Sequence, residues 1–306
     1  MTLTRRHALL AGAALPFAAA VPVPARAAAE QQGSAVAPFR RFRLGRFEVT
    51  PLLAGTRVQE NPQQIFGLNA PQDAFEAAAR AAFLPTDRAQ GFFTPTLVNT
   101  GTALILFDTG LSAEGILAAL AAAGHSPEQV DLVVITHMHG DHIGGLMTGD
   151  TPTFANARYL TGQVENDHWA QQSNDGYEAK MRPLLDRTGF VEPGAEIAPG
   201  ITAVEAFGHT PGHMAYRLES GGQALMLTAD TANHYVFSLG HPDWEVSFDA
   251  DKAAAAATRR RIFGQIADDR IPFIGYHMPF PAIGYVERAG DGFRFVPESY
   301  QLMLNG

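Results

Sequence analysis

The chain has 306 residues, of which 46% are hydrophobic and 17% charged, and this balance excludes an intrinsically disordered protein. Its formal net charge is −9 at pH 7, so nucleic acid is not an expected partner, because phosphate binding needs a basic surface. The sequence contains no cysteine, which excludes disulfide bonds, thiolate metal ligands and a cysteine nucleophile.

The N-terminal segment predicts an export signal. Arg5 and Arg6 precede an apolar stretch over residues 8–21, and the small-x-small sequence ARA at 25–27 provides a cleavage site. The paired arginines indicate the twin-arginine route. A membrane anchor is the alternative, but prolines interrupt the segment, and it is short for a membrane span. We therefore predict a signal peptide over residues 1–27 and a periplasmic mature protein without a membrane-spanning segment.

The remaining chain predicts one domain. Residues 28–38 are rich in Ala, Gln, Gly, Ser and Pro and predict a flexible leader. No internal repeat or interior linker follows, so residues 39–306 are interpreted as a single domain.

Within this domain, apolar or alternating runs predict strands, and Ala-rich runs bounded by Gly or Pro predict helices. The predicted helices cover residues 71–83, 113–124 and 251–269. The predicted strands cover residues 96–99, 103–107, 132–136, 203–206, 215–218 and 224–228. Blocks of strands separated by single helices predict an α/β (α+β) fold, with sheets flanked by helices.

The sequence ITHMHGDH, residues 135–142, places three histidines and an aspartate directly after a predicted buried strand. Side chains two positions apart share one face only on an extended chain, so His137 and His139 can bind one ion if the strand geometry continues here. Asp141 and His142 are adjacent, so their side chains diverge and suit a second ion. A solvated, histidine-rich loop is the alternative interpretation.

Three further metal-ligand side chains follow predicted apolar runs: His209 in FGHTPGH, Asp230 after ALMLTA, and His277 after IPFIGY. The loops at strand ends gather on one edge of an α/β fold. We therefore predict that His137, His139 and His209 bind a first ion. Asp141, His142 and His277 would bind a second, and Asp230 would bridge the two. Taken singly, each of the three later residues could equally be an ordinary buried or surface group.

With this ligand pattern the chain resembles the metallo-β-lactamase superfamily, and most closely its methyl parathion hydrolase group and the related lactonases and arylesterases. The resemblance rests on T-H-x-H-x-D-H after a strand, on G-H-T-P-G-H, and on stretches such as LVNTGTALILFDTG and HMPFPAIGYV. It covers nearly the whole mature chain. It implies an αββα sandwich, a dinuclear site at the sheet edges and the same seven ligands.

Differences from other branches of the superfamily narrow the expected activity. Many true β-lactamases carry Cys or Ser, or use other ligands, where this chain has Asp230, and flavodiiron proteins carry Glu at the position of His139. Acyl-homoserine lactonases usually have Tyr three residues after the bridging aspartate. Here that position is Asn233, with Tyr235 nearby. Specialised quorum quenching is therefore not the first expectation.

The expected cofactor is a pair of divalent metal ions, with zinc as the default and manganese, cobalt or iron as alternatives. Such a pair lowers the pKa of a bridging water from 15.7 to about 7, and the resulting hydroxide would cleave neutral esters, lactones or organophosphate triesters. Asp141 is predicted to carry protons as well as to bind metal. Asp108 and His213 are predicted to orient the ligands from behind.

The resemblance also places Phe92, Phe93, Trp169 and Phe280 in loops over the metals, where they would form an aromatic pocket for a small-molecule substrate. The alternative is that these aromatic residues belong to the core. Two other functions stay open at this point: a non-catalytic periplasmic metal-binding protein, and a β-lactamase. The resemblance is also compatible with a homodimer.

Overall fold

The computed structural model describes residues 33–305. The predicted signal peptide, residues 1–27, and residues 28–32 of the predicted leader lie outside the described part of the chain. The first residue of the predicted domain is already paired, because Phe39 forms an isolated bridge with Leu52.

Eighteen strands and eight α-helices are assigned within residues 33–305. The strands are β1 (Phe42–Leu44), β2 (Phe47–Pro51), β3 (Gly55–Glu60), β4 (Arg88–Phe93), β5 (Thr96–Asn99), β6 (Leu104–Phe107), β7 (Leu132–Ile135), β8 (Met147–Thr148), β9 (Thr151–Pro152), β10 (Arg158–Gly162), β11 (Thr188–Val191), β12 (Glu196–Ala198), β13 (Ile201–Glu205), β14 (Met214–Ser220), β15 (Gln223–Ala229), β16 (Phe273–Gly275), β17 (Ile283–Ala289) and β18 (Gly292–Pro297). The helices are α1 (Gln63–Phe66), α2 (Gln72–Ala81), α3 (Ala113–Ala122), α4 (Gly140–Ile143), α5 (Gln163–Ala170), α6 (Asp175–Lys180), α7 (Phe237–Gly240) and α8 (Lys252–Asp269).

Two seven-stranded sheets contain most of the strands. The first has the order β1-β2-β5-β6-β7-β10-β11, and its last three pairings are parallel. The second has the order β12-β13-β14-β15-β16-β17-β18, in which only β15 and β16 are parallel. Parallel neighbours need a crossover between them, and α3 provides it for β6 and β7, as α8 does for β15 and β16.

The alternation of side chains along the central strands of the first sheet explains the layers. In β5, Leu97 packs into a cluster with Ile116 and Leu120 of α3, whereas the next residue, Val98, packs into a cluster shared with the second sheet. That shared cluster also contains Ile262 of α8. Each sheet therefore buries one face against the other sheet and one against helices. The predicted αββα sandwich is confirmed.

The predicted elements are confirmed with small shifts at their ends. The strand predicted at 96–99 has these same bounds, and the helix predicted at 251–269 begins at Lys252, after the Asp251 carboxylate accepts the backbone N–H of Ala254. The helix predicted at 71–83 ends at Ala81, because Phe83 has a left-handed backbone with φ +58°.

The hairpin of β3 and β4 was not predicted from the sequence. These strands form a separate two-stranded sheet, and residues 61–87 between them hold α1 and α2. Within residues 33–305, the structure contains no helix whose length and apolar character would suit a membrane crossing.

Candidate metal centre

The seven predicted ligands meet at one edge of the sandwich. His137 follows β7, His209 follows β13, Asp230 follows β15 directly, and His277 follows β16. His139 keeps an extended backbone (φ −66°, ψ 152°), as the shared-face argument required, and the chain then enters the short helix α4. All these side chains arise where strands end, because the loops beyond them converge there.

Three histidines form the first group. Nε2 of His137 lies 3.1 Å from Nδ1 of His139, which lies 3.0 Å from Nε2 of His209. The third separation, between the Nε2 atoms of His209 and His137, is 3.2 Å. Zinc–nitrogen bonds of 2.0–2.1 Å in a tetrahedral site place neighbouring ligand atoms about 3.3 Å apart. The spacing of the three nitrogens therefore fits a single divalent ion.

Asp141, His142 and His277 form the second group. Oδ2 of Asp141 lies 3.3 Å from Nε2 of His277 and 3.7 Å from Nε2 of His142. The Asp230 carboxylate lies between the groups: its Oδ2 is 3.3 Å from Nε2 of His209 and 3.1 Å from Nε2 of His277. The structure thus brings together all seven side chains that the sequence singled out.

Two buried atoms of this cluster test whether it suits a metal. Nε2 of His142 and Oδ1 of Asp230 have no hydrogen-bond partner among the described residues, although they lie only 3.1 Å apart. Buried polar atoms without partners are rare, because each loses its hydration without compensation. A divalent cation would satisfy both atoms. The cluster therefore fits a divalent-metal site.

Acceptors behind three of the histidines set which ring nitrogen faces the centre. The Nδ1–H of His142 donates to Asp108 at 2.8 Å, and that of His277 donates to the carbonyl of Phe92 at 2.8 Å. His209 donates its Nδ1–H to Asp249 at 2.9 Å. In the neutral ring each acceptor fixes the hydrogen on Nδ1, so that Nε2 is the nitrogen left to bind a metal.

The two predicted supporting residues contact the ligands in different ways. Asp108 also accepts hydrogen bonds from the backbone N–H and the hydroxyl of Thr136, whose Oγ1 lies 3.1 Å from Nδ1 of His137. Nε2 of His213 accepts the backbone N–H of Asp230 at 3.1 Å. Asp108 therefore orients histidines of both groups, and His213 holds the end of β15.

Other supporting residues were missed from the sequence. Asp249 belongs to a loop before α8 and carries no motif, yet it contacts His209 and the buried Arg259. Tyr276 stacks on the ring of His142 at 3.9 Å and donates its hydroxyl to the backbone carbonyl of Asp141. No sequence signal indicated Asp249, and the only signal for Tyr276 was its position beside His277.

Burial and neighbouring charges shift the pKa values of the clustered side chains. Burial, reinforced by the nearby His209, lowers the pKa of His139 to about 3. Burial also disfavours the charged form of His277, but the carboxylates of Asp230 and Asp141 outweigh it and raise the pKa to about 10. Burial likewise disfavours ionisation of Asp230, yet His277 and His142 lower its pKa well below the usual range. The carboxylates are therefore ionised at neutral pH, as ligands must be.

A cavity of about 380 Å³ opens above the cluster. Five of the seven ligands line it: His139, Asp141, His209, Asp230 and His277. The β3–β4 hairpin supplies one wall, with Phe93 packed edge-on against His277 at 5.5 Å. A small molecule can therefore reach the ligand atoms directly.

A second cavity of about 370 Å³ shares Gln90, His234 and His277 with the first. Its wall is mostly apolar, with Leu84, Pro85, Phe92, Phe237 and Pro279 among the lining residues. The two cavities therefore adjoin beside the clustered side chains, and the second has the more apolar wall.

The predicted aromatic pocket needs correction. Phe93 lines the first cavity and Phe92 the second, but both lie on β4 rather than in loops. Trp169 lies in α5 and lines neither cavity, because its indole N–H donates to the buried Glu165 at 2.6 Å. Phe280 lines neither cavity, and the neighbouring Pro279 occupies the wall instead.

A sequence profile of the metallo-beta-lactamase superfamily matches residues 94–272, more than half of the chain. The chain belongs to the metallo-beta-lactamase superfamily. The matched segment includes six of the seven clustered ligands and ends just before His277. The predicted family is thereby confirmed.

Curated proteins match part of the chain. An N-acyl homoserine lactonase from Bacillus sp. is 25% identical over 144 residues, which cover 47% of this chain and 55% of that protein. The anti-Pycsar protein Apyc1 from Paenibacillus sp. (strain J14) is 44% identical over 140 residues, which cover 42% of this chain and 56% of that protein. The chain thus spans about half the length of the curated relatives it matches.

A solved structure matches over a greater length. AidC, described as a dizinc quorum-quenching lactonase in complex with a homoserine product, superposes with a TM-score of 0.80 and 26% identity. The match covers 86% of this chain and 98% of AidC. The superfamily fold therefore extends over nearly the whole described chain.

Proposed function

We propose that this protein is a dinuclear zinc hydrolase that cleaves neutral lactones, esters or organophosphate triesters. The observation that carries the proposal is the convergence of seven metal-ligand side chains at the floor of an open cavity. His137, His139 and His209 would hold one ion, while Asp141, His142 and His277 would hold the other. Asp230 would bind both. The similarity to lactonases, AidC among them, makes lactones the first substrates to test.

Bound divalent ions would supply Lewis acidity, which polarises a carbonyl or phosphoryl oxygen and makes water nucleophilic near neutral pH. Asp141 is suited to carry a proton, because it lines the cavity with its side chain 21% exposed. Asp230 is only 4% exposed at its side chain and accepts the amide N–H of Asn233 at 2.8 Å. Asn233 therefore holds a proposed ligand through one of its two amide N–H bonds.

His234 is the chain's candidate for orienting the substrate. Its Nδ1 accepts the backbone N–H groups of Val236 and Phe237 at 3.1 and 3.2 Å, so the neutral ring carries its hydrogen on Nε2. The ring stacks on Phe237 at 4.3 Å and lines both cavities. An oxygen of a substrate that spans the two cavities would accept this preoriented N–H.

The test is a substrate panel on zinc-loaded protein: dihydrocoumarin, a long-chain acyl-homoserine lactone, p-nitrophenyl acetate, paraoxon and the β-lactam nitrocefin. We expect hydrolysis of at least one lactone or ester, lost on removal of zinc and in His137→Ala. Full activity of the metal-free protein would contradict the proposal. Two bound equivalents of zinc with no hydrolysis would favour a non-catalytic metal-binding protein, and cleavage of nitrocefin alone would favour a β-lactamase.

The proposal includes export to the periplasm through the twin-arginine route. It is supported by Arg5 and Arg6 ahead of an apolar segment and by the cleavage sequence at 25–27. Fractionation of cells that produce the full chain tests it. A mature protein beginning near residue 28 in the periplasm is expected, and its loss in an Arg5→Lys/Arg6→Lys variant would identify the route.

A further inference from the structure

Glu165 is a fully buried carboxylate on α5 that the proposed chemistry does not use. Its Oε1 accepts the backbone N–H of Met138 at 2.9 Å and the indole N–H of Trp169 at 2.6 Å. Its Oε2 accepts the hydroxyl of Thr210 at 2.6 Å and the backbone N–H of Gly212 at 3.0 Å. All four donors are neutral, so this carboxylate is held by hydrogen bonds alone.

Three of the four donors come from the two loops that carry the first group of ligands, and the fourth, Trp169, lies on α5 itself. Met138 lies between His137 and His139, while Thr210 directly follows His209. His139 and His209 are 70 positions apart in the chain, yet Nδ1 of His139 lies 3.0 Å from Nε2 of His209. Glu165 is thus bonded to both sides of the three-histidine group.

The loop after His209 also packs directly on the backbone of α5. A Cβ placed on Gly212 would lie 2.1 Å from the backbone nitrogen of Glu165 and 2.5 Å from its Cα. Only glycine permits this approach. The two loops and the first turn of α5 are therefore in close contact around one carboxylate.

We propose that Glu165 is a positioning residue that holds these two loops in the relation needed by the first metal ion. The inference rests on the metal site of the proposed function. The second group has separate supports, since His142 is held by Asp108 and His277 by the carbonyl of Phe92. Loss of Glu165 therefore weakens binding of the first ion and leaves binding of the second unchanged.

The protein contains a reporter for the first group. Trp169, which donates to Glu165, also packs edge-on against the ring of His139 at 5.9 Å. The other tryptophan of the chain, Trp244, stacks on His241 at 3.8 Å. Fluorescence of Trp169 in a Trp244→Phe background therefore follows occupancy of the three-histidine group.

The test variant is Glu165→Gln, which keeps the size of the side chain but turns one acceptor into a donor that faces two other donors. The matched control is Asp167→Asn, because Asp167 is an exposed carboxylate on the same helix. Metal-free full-length protein is titrated with zinc against a chromophoric chelator. Circular dichroism and thermal melting show whether each variant is folded.

For the parent protein and Asp167→Asn we expect two zinc equivalents with the same affinities. For Glu165→Gln we expect one equivalent unchanged and the other bound at least 10-fold more weakly. The midpoint of the Trp169 fluorescence change should move with the weakened equivalent. If Glu165→Gln does not fold, Thr210→Val removes one of the four donors and should show a smaller shift of the same equivalent.

Affinities within threefold of the parent would overturn the proposal. Equal weakening of both equivalents in a folded variant would also overturn it, since that result indicates a general structural role. These measurements use zinc without substrate. A parent protein that binds two equivalents and hydrolyses no substrate would therefore refute the proposed function and leave this test valid.

Discussion

Asp249 and Arg259 form a buried ion pair behind the proposed metal ligand His209. Oδ2 of Asp249 lies 2.7 Å from NH2 of Arg259, and both side chains are 1% exposed. Arg259 also donates to the carbonyls of Thr231 and Pro242. In Asp249→Asn the amide oxygen can still accept from His209, but the amide N–H group then faces the guanidinium. The arginine charge is left buried and uncompensated.

Removing one partner of a buried ion pair typically costs about 3–5 kcal/mol, because the remaining charge has lost both its hydration and its counter-charge. We therefore expect Asp249→Asn to lower the free energy of unfolding by about this amount. Loss of the negative charge behind His209 should also weaken zinc binding about 10–100-fold. Urea unfolding of the metal-free protein, followed by circular dichroism, measures the first effect, and zinc competition measures the second.

The neighbouring residue of α8 supplies the control. Arg260 pairs with Asp243 at the surface, with side-chain exposures of 41% and 66%. Exposed pairs contribute about 1 kcal/mol or less, so Asp243→Asn should change the unfolding free energy within that limit. The double variant Asp249→Asn/Arg259→Met should recover part of the single-variant loss, since no charge remains buried. Equal losses for the buried and the exposed pair would refute this reasoning.

Four further predictions concern packing, substrate orientation, pH dependence and metal. Gly212→Ala should lower the free energy of unfolding by about 1–3 kcal/mol, because the added Cβ would meet the backbone of Glu165. In the control Gly140→Ala the added Cβ has no atom within 4 Å, so the loss should be less than about 0.5 kcal/mol. Similar urea midpoints for the two variants would contradict this prediction. His234→Asn keeps an acceptor for the backbone N–H of Val236 but loses the ring Nε2–H. We therefore expect kcat/KM for a hydrolysed lactone to fall about 10-fold, while the zinc stoichiometry stays unchanged. Burial lowers the pKa of His234 to about 3. The unfolded chain, with a pKa of about 6.5, therefore takes up one more proton below that pH. Stability from this ring is complete above pH 6.5 and falls by about 1.4 kcal/mol per pH unit towards pH 3, a slope that His234→Asn should remove from urea unfolding curves. Removal of zinc by a chelator should lower Tm and abolish hydrolysis, and added zinc should restore both; activity that survives the chelator would refute the metal requirement.

Local sequence patterns were sufficient for the α/β (α+β) fold class and for the candidate ligands, whereas the αββα sandwich was implied by the family resemblance. The strand at Thr96–Asn99 and the helix at Lys252–Asp269 follow from apolar runs and capping residues that are close in the chain. His137 and His139 could be paired because the preceding strand restricts their relative direction. These inferences need only neighbouring residues, so one sequence contains all the information.

Only the tertiary structure identified the groups that hold and surround the ligands. Asp249 contacts His209 from 40 positions away, and Glu165 contacts Gly212 from 47 positions away. The β3–β4 hairpin provides a cavity wall although its strands resemble ordinary surface segments. Likewise, Trp169 donates to a buried carboxylate and lines neither cavity. Such contacts depend on how the sheets and loops pack, and no periodicity within a short segment encodes them.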